Sequence, residues 1–228
     1  MEQDRFSRIL SALAQRGPLD LSTYPERVCA VAVGLLGMTG AGLILMTNGQ
    51  AGAVWASDEA VNKIEEAQLT LGEGPGVDAF VLGSPVLEPD LARFSPRWLF
   101  FRRAALALGV RALFSLPLQV GVIRIGVLNL YRLEPGFLSD DELADALILA
   151  DVATQDLLDL QAMGNMPWTG ADGVGQRAKV HQATGMVAAQ LSSTMGDALA
   201  RLRAHAFSTG ANIFDVAEDV VSRRLRFE

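Results

Sequence analysis

Apolar positions along the chain change period several times, and the changes divide it into elements. From Arg5 to Gln15, and again through "YPERVCAVAVGLLG", the spacing is helical, with Val28, Val31, Ala32 and Leu35 on one face. Strand character follows at 42–47 and 51–57, on either side of Asn48-Gly49, a pair that accepts the positive φ of a tight hairpin turn. After helical and irregular segments, 110–119 and 123–133 make a second antiparallel pair across a Gly-Val turn, and Pro117 inside the first predicts a bulge or an edge. Ser139 and Glu142 have the spacing of a capping box at the start of a long helix. Its Leu143, Leu147, Ala150, Leu157 and Leu160 follow a coiled-coil seam. Two readings stay open: the helix pairs with a copy of itself, or it packs on its own sheet.

The stretch "QAMGNMPWTGADGVG", 161–175, holds four glycines, one proline and no apolar period, the composition of a linker. Beyond it the pattern is wholly helical. A first helix from about 176 to 191 places Val180, Ala183, Thr184, Val187 and Leu191 on one face and Arg177, His181, Gln182 and Gly185 on the other. A second starts after Thr194, buries Ala198, Leu199, Leu202 and Ala206, ends at Gly210 and leaves Arg201, His205 and Ser208 opposite the core. A third runs from about Phe214 to Leu225. The expected fold class is α+β: an N-terminal helical segment (1–17), an antiparallel sheet with flanking helices (18–161), a linker (162–173) and a three-helix bundle (174–228).

Half of the 228 residues are apolar, enough for a proper core. No apolar run is long enough for a membrane span, and "MEQDRFSRIL" lacks the form of a secretory signal, so a cytoplasmic protein without a membrane partner is expected. The single Cys29, on the apolar side of its helix, excludes an internal disulfide or thiolate cluster and reads as a small core residue. With only two histidines there are few metal ligands, and no metal or cofactor is expected. The net charge of −7 is uneven. Residues 174–228 carry seven Lys or Arg against five Asp or Glu (+2), and the remainder twelve against twenty-one (−9). A polyanion is repelled by the front of the chain but not by its last quarter.

Candidate chemistry is sparse. "LGEGPG" (71–76) lacks the lysine or following Ser/Thr of a phosphate cradle; Pro75 opening a helix after a glycine turn explains it, and a loop rimming a ligand pocket is the alternative. Glu65-Glu66 reads as a solvated helix face, and Asp140-Asp141-Glu142 as a helix start favoured by the dipole. No nucleophile stands beside a base in any motif, so an enzyme is not expected.

The order of helix, hairpin, "LTLGEGPGVDAF", short strand at "PVLE", Trp/Phe-rich helical stretch, closing hairpin and helix resembles a GAF sensor domain of actinobacterial regulators over residues 18–160. The resemblance implies a small-molecule pocket on one sheet face, for an unknown ligand; Trp55, Phe80, Phe101 and Phe114 are candidate lining for an aromatic or apolar ligand, and filling a core is the alternative. Residues 174–227, through "HQATGMVAAQL", "DALARLRAHAFSTG" and "DVAEDVVSRRL", resemble the ANTAR domain of transcription antitermination regulators. Many members carry a basic residue where this chain has Thr184. That resemblance implies a homodimeric antiterminator binding RNA hairpins in nascent transcripts through Arg177, Lys179, His181, Gln182, Gly185, Arg201, Arg203, His205 and Ser208. A glycine inside a helix costs about 1 kcal/mol relative to alanine, so Gly185 either lets a nucleotide approach or lets helices pack closely. A DNA-binding regulator is the alternative, opposed by "STGANI", too long for the usual helix-turn-helix turn.

Overall fold

In the computed structural model, residues 2–15, 23–47, 50–162 and 173–228 are described. A central strand buried on both faces, β5 (Ile123–Arg132), organises the front of the molecule. Leu128 and Leu130 enter one core; Val127 and Tyr131 enter another on the opposite sheet face. With β1 (Gly40–Thr47), β2 (Gln50–Ala56), β3 (Val86–Glu88) and β4 (Ala112–Val120), β5 forms an antiparallel sheet in the order β2-β1-β5-β4-β3. Strands β1 and β2 pair from Gly42↔Ala56 to Thr47↔Gln50 as the hairpin pattern predicts, while the Asn48-Gly49 turn lies outside the described residues. Of the two alternatives for Pro117 the edge is met, and the irregularity falls one residue further on. The register of β4 shifts between Leu118 and Gln119, and β3 reaches only Leu113 to Ser115, leaving Pro117 on an open edge.

Helices α1 (Glu2–Ala14), α2 (Tyr24–Leu36) and α6 (Asp140–Ala162) cover one face; Ile9, Leu13, Val28, Val31 and Ala32 are buried there with Leu116 and Leu128. Cys29 is buried with them, its thiol 3.7 Å from the Trp55 carbonyl and pushed up to about 12, mainly by burial. The predicted capping box closes α6: Ser139 N donates to Glu142 Oε2 (2.8 Å), and Ser139 Oγ accepts from Glu142 N (3.2 Å). The Ser139 backbone N–H first, then the Arg132 guanidinium and the Ser139 hydroxyl, hold the Glu142 carboxyl below its ordinary value. The seam on α6 does not survive as a docking stripe. Ala150, Leu157 and Leu160 are buried in the domain's own core and only Leu147 is exposed, so the helix packs on its own sheet.

Helices α3 (Glu59–Leu71), α4 (Pro75–Leu82) and α5 (Leu99–Ala107) cover the other face, where Val61, Ile64, Ala79, Trp98 and Phe101 are buried. The segment expected to link the domains falls mostly outside the described residues, between the end of α6 and the start of α7 (Gly173–Leu191). With α8 (Met195–Thr209) and α9 (Ile213–Val221), α7 forms the expected bundle around Ala183, Val187, Leu202 and Ala217. Thr194 caps α8, its Oγ1 accepting from Asp197 N. The third helix is shorter than its pattern predicts. It ends at Val221 because Arg223 adopts φ 63° and turns the chain back. No helix among the described residues is long and apolar enough to cross a membrane.

The two halves touch. Leu69 of α3 is buried in the bundle's core, Phe100 of α5 meets Phe207 of α8 edge to face at 4.7 Å, and α7 runs beside the edge strand β2. Covering an edge strand removes unpaired backbone groups from solvent.

Candidate functional site: the bundle surface and the α3 face

The polar side of the bundle grows from α7 and α8. On α7, Val180, Ala183, Thr184 and Val187 point inward, Gln182 is exposed, and His181 and Gly185 are half-exposed. Thr184 is fully buried and its Oγ1 donates to Val180 O (2.7 Å), so this position belongs to the core and cannot reach a phosphate. A Cβ built on Gly185 meets nothing within 4 Å. Close helix packing therefore does not account for this glycine among the described residues, and the missing side chain leaves space facing outward.

Lys179 pairs with Glu218 of α9. Both are half-exposed, and such surface pairs contribute only about 0–1 kcal/mol, so the ammonium exchanges partners readily. Arg201 and Ser208 are exposed on α8, Ser208 Oγ donating to His205 O (3.0 Å). His205 is half-buried against Phe227, ring centroids 5.5 Å apart. Arg203 points the other way. Its Nε donates to Leu69 O (2.9 Å), and burial lowers its pKa. In this arrangement Arg203 belongs to the contact between the halves rather than to the open face. The Arg177 side chain lies outside the described residues.

The four aromatics expected to line a sensor pocket are not brought together. Trp55 and Phe114 lie in the core under α2 and α6; Phe101, with Phe80 partly buried beside it, lies on the opposite face under α3 to α5. They fill two cores separated by the sheet.

Beside that apolar core the α3 face holds a polar network that was missed from sequence. Glu65, expected on a solvated surface, is only 2 % exposed. Its carboxylate accepts from Asn129 Nδ2 (2.9 and 3.0 Å), from Gln68 Nε2 (2.9 Å) and from the Tyr131 hydroxyl. Gln68 Oε1 in turn accepts from Gly76 N (2.8 Å), and Ser115 Oγ donates to Asn129 Oδ1 (2.6 Å). A buried carboxylate is tolerable only with such donors around it. The Tyr131 hydroxyl is raised well above its ordinary pKa, first by burial and then by the charge of Glu65.

"LGEGPG" builds the rim of this network. Gly72 ends α3, Pro75 opens α4 as expected, and Glu73 caps α5 by accepting from Phe100 N (2.8 Å) and Phe101 N (2.9 Å). Gly74 sits at φ 146°, where a Cβ would stand 2.4 Å from Gln68 Oε1. The sequence did hold a signal: Val61, Ile64, Glu65, Gln68 and Leu69 recur at helical spacing, which sets Glu65 on the buried stripe.

The ANTAR domain family matches residues 173–221. In overall structure the chain is similar to the GAF domain of a phosphoenolpyruvate-protein phosphotransferase from Coxiella burnetii (16% identity, 72% of this chain and 97% of that one, TM-score 0.55). The GAF domain of the Acinetobacter phosphoenolpyruvate-protein phosphotransferase is similar too (13% identity, 73% and 98%, TM-score 0.53). So is the free methionine-R-sulfoxide reductase of Neisseria meningitidis (16% identity, 71% and 91%, TM-score 0.51). At these identities the likeness establishes the fold alone. Among curated proteins none matches the chain.

Proposed function

We propose that this chain, a GAF-like fold joined to an ANTAR domain, is a signal-responsive antitermination regulator of the cytoplasm: its bundle binds RNA hairpins in nascent transcripts, and its front domain controls that binding. One coincidence carries the reading. The ANTAR match falls on a three-helix unit whose polar face, with Gln182, Gly185 and Arg201, is open to solvent. RNA loops are recognised by stacking on imidazole or guanidinium planes, amide hydrogen bonds to bases and cations on phosphates. His181 and His205, Gln182, and Lys179 and Arg201 supply those groups, and Gly185 the room for backbone or base. Arg203 joins them once it leaves Leu69 O. Two copies acting on paired hairpins belong to this reading, through a surface other than the α6 seam.

Control by the front domain follows from α3, which carries Glu65 and Gln68 of the buried network and Leu69 of the domain contact within two turns. A small molecule that exchanges hydrogen bonds with Glu65 moves the helix to which Arg203 is tied. Binding of the full chain to hairpin RNA, with duplex DNA of the same sequence alongside, tests the reading, together with readthrough at a terminator preceded by the hairpin. Preference for the DNA, or RNA binding that leaves termination unchanged, would sink it.

A further inference from the structure

The ANTAR match stops at residue 221, but the structure does not let the chain trail away there. Arg223 takes a left-handed conformation (φ 63°), unusual for a side chain of this size, and Arg224 N and Leu225 N both return to Asp219 O (2.7 and 3.0 Å). Leu225 and Phe227 then pack on the bundle's core. Phe227 N donates to Gln190 Oε1 of α7 (3.0 Å), while its ring lies edge-on to His205 of α8. The tail thus ties α7 to α8 and closes one side of a groove of about 420 Å³ whose other side is Met186 and Gln190.

The alternation of the tail decides what faces that groove. Leu225 packs inward, Phe227 is half-buried and lines the groove, Arg224 is paired with Asp219 (2.8 Å), and Arg223 and Arg226 are exposed at the rim beside Glu228. The floor continues the open face of α7, since Gln182, Gly185, Met186 and Gln190 are neighbours at helical spacings of three and four. Resting on the RNA-binding reading above, we infer that this groove is a second part of the RNA site, taking one or two unstacked loop nucleotides. The Phe227 ring, braced by His205, and the Gln190 amide meet a base, and Arg223 and Arg226 meet the flanking phosphates. Two outward cations beside an aromatic and an amide are the combination that single-stranded nucleic acid needs; a duplex offers no free base face to the ring.

The test uses the full chain and RNA hairpins with a randomised loop, titrated over a range of salt. Arg223→Gly with Arg226→Ala removes both cations and relieves the left-handed residue. The variant melts at the same or a higher temperature than the parent, yet its log-log salt slope falls by roughly 1.4, about 0.7 per lost single-strand phosphate contact. Phe227→Leu keeps an apolar anchor without the ring; it lowers affinity roughly tenfold and leaves the slope unchanged, because stacking carries no counterion release. Arg93→Ala with Arg103→Ala removes two exposed charges from the front domain and changes neither quantity. If the parent binds hairpins and the Arg223/Arg226 variant matches it in affinity and slope, the tail site is wrong and the RNA reading stands. If the parent binds no hairpin, both fall. Equal binding of duplex DNA, with the same loss in the variant, makes the tail a general phosphate contact and overturns its assignment to loop nucleotides.

Discussion

In the front domain a side chain built on Gly42 would strike Glu65 at 2.3 Å, and one on Gly76 would come within 3.0 Å of Asn129 and Gln68. In the bundle a side chain built on Gly185 would strike nothing. The first two glycines make room for the protein's own polar groups, so their cost in chain entropy is offset inside the fold. The third makes room for nothing among the described residues, and under the proposed function what offsets its cost is the approach of RNA. The same residue type therefore marks a closed site in one half and an open one in the other.

Substitutions can break this contrast, and the largest effect belongs to the closed site. Gly74→Ala forces an alanine to φ 146° and against Gln68, and is expected to cost about 2–4 kcal/mol in urea unfolding. A near-neutral result would mean the α3–α4 turn relaxes freely and the site is not closed. Glu65→Gln keeps the shape but sets an amide N–H against the Asn129, Gln68 and Tyr131 donors; a loss of about 2 kcal/mol is expected. Glu65→Met, nearly isosteric and apolar, serves as its companion, and equal stability of the two would remove the donor conflict as the cause.

At the contact between the halves, Arg203→Met keeps the stem and deletes the bond to Leu69 O. Hydrogen exchange of the α8 amides should accelerate about tenfold, equivalent to about 1.4 kcal/mol of easier opening. Unchanged exchange would mean that bond contributes nothing to docking. The smallest expected change in stability is at the open site. Gly185→Ala is neutral or stabilises by up to about 1 kcal/mol, since alanine is the better helix former and has space, while hairpin affinity falls. A variant that binds RNA as well as the parent would show that nothing approaches Gly185.

Elements with strong local periodicity were legible in the sequence: both hairpins, the Ser139–Glu142 cap, and the buried stripes of α7 and α8. The α9 boundary was misread because Arg223 and Leu225 fit a helical pattern until a left-handed residue breaks it, and local spacing does not encode that turn. The site on α3 was missed because its donors come from β5 and α3 together; Asn129 lies 64 positions from Glu65, and only the sheet brings them into reach. The aromatic residues misled for the complementary reason. Hydrophobicity says that Trp55 and Phe101 are inside but not on which face of a sheet, and the faces here are different cores.

The bond from Arg203 to Leu69 O has a thermodynamic reading under the proposed function. Under that reading the side chain lying against α3 cannot also extend to the open face, so the two uses compete, and the apparent affinity for RNA is the intrinsic one scaled by the fraction of molecules in which Arg203 is released. Such competition is reciprocal. Any factor by which a change at α3 alters RNA affinity is the factor by which RNA alters the equilibrium at α3, so hairpin binding should be detectable as a change in ligand affinity beside Glu65, far from any nucleotide.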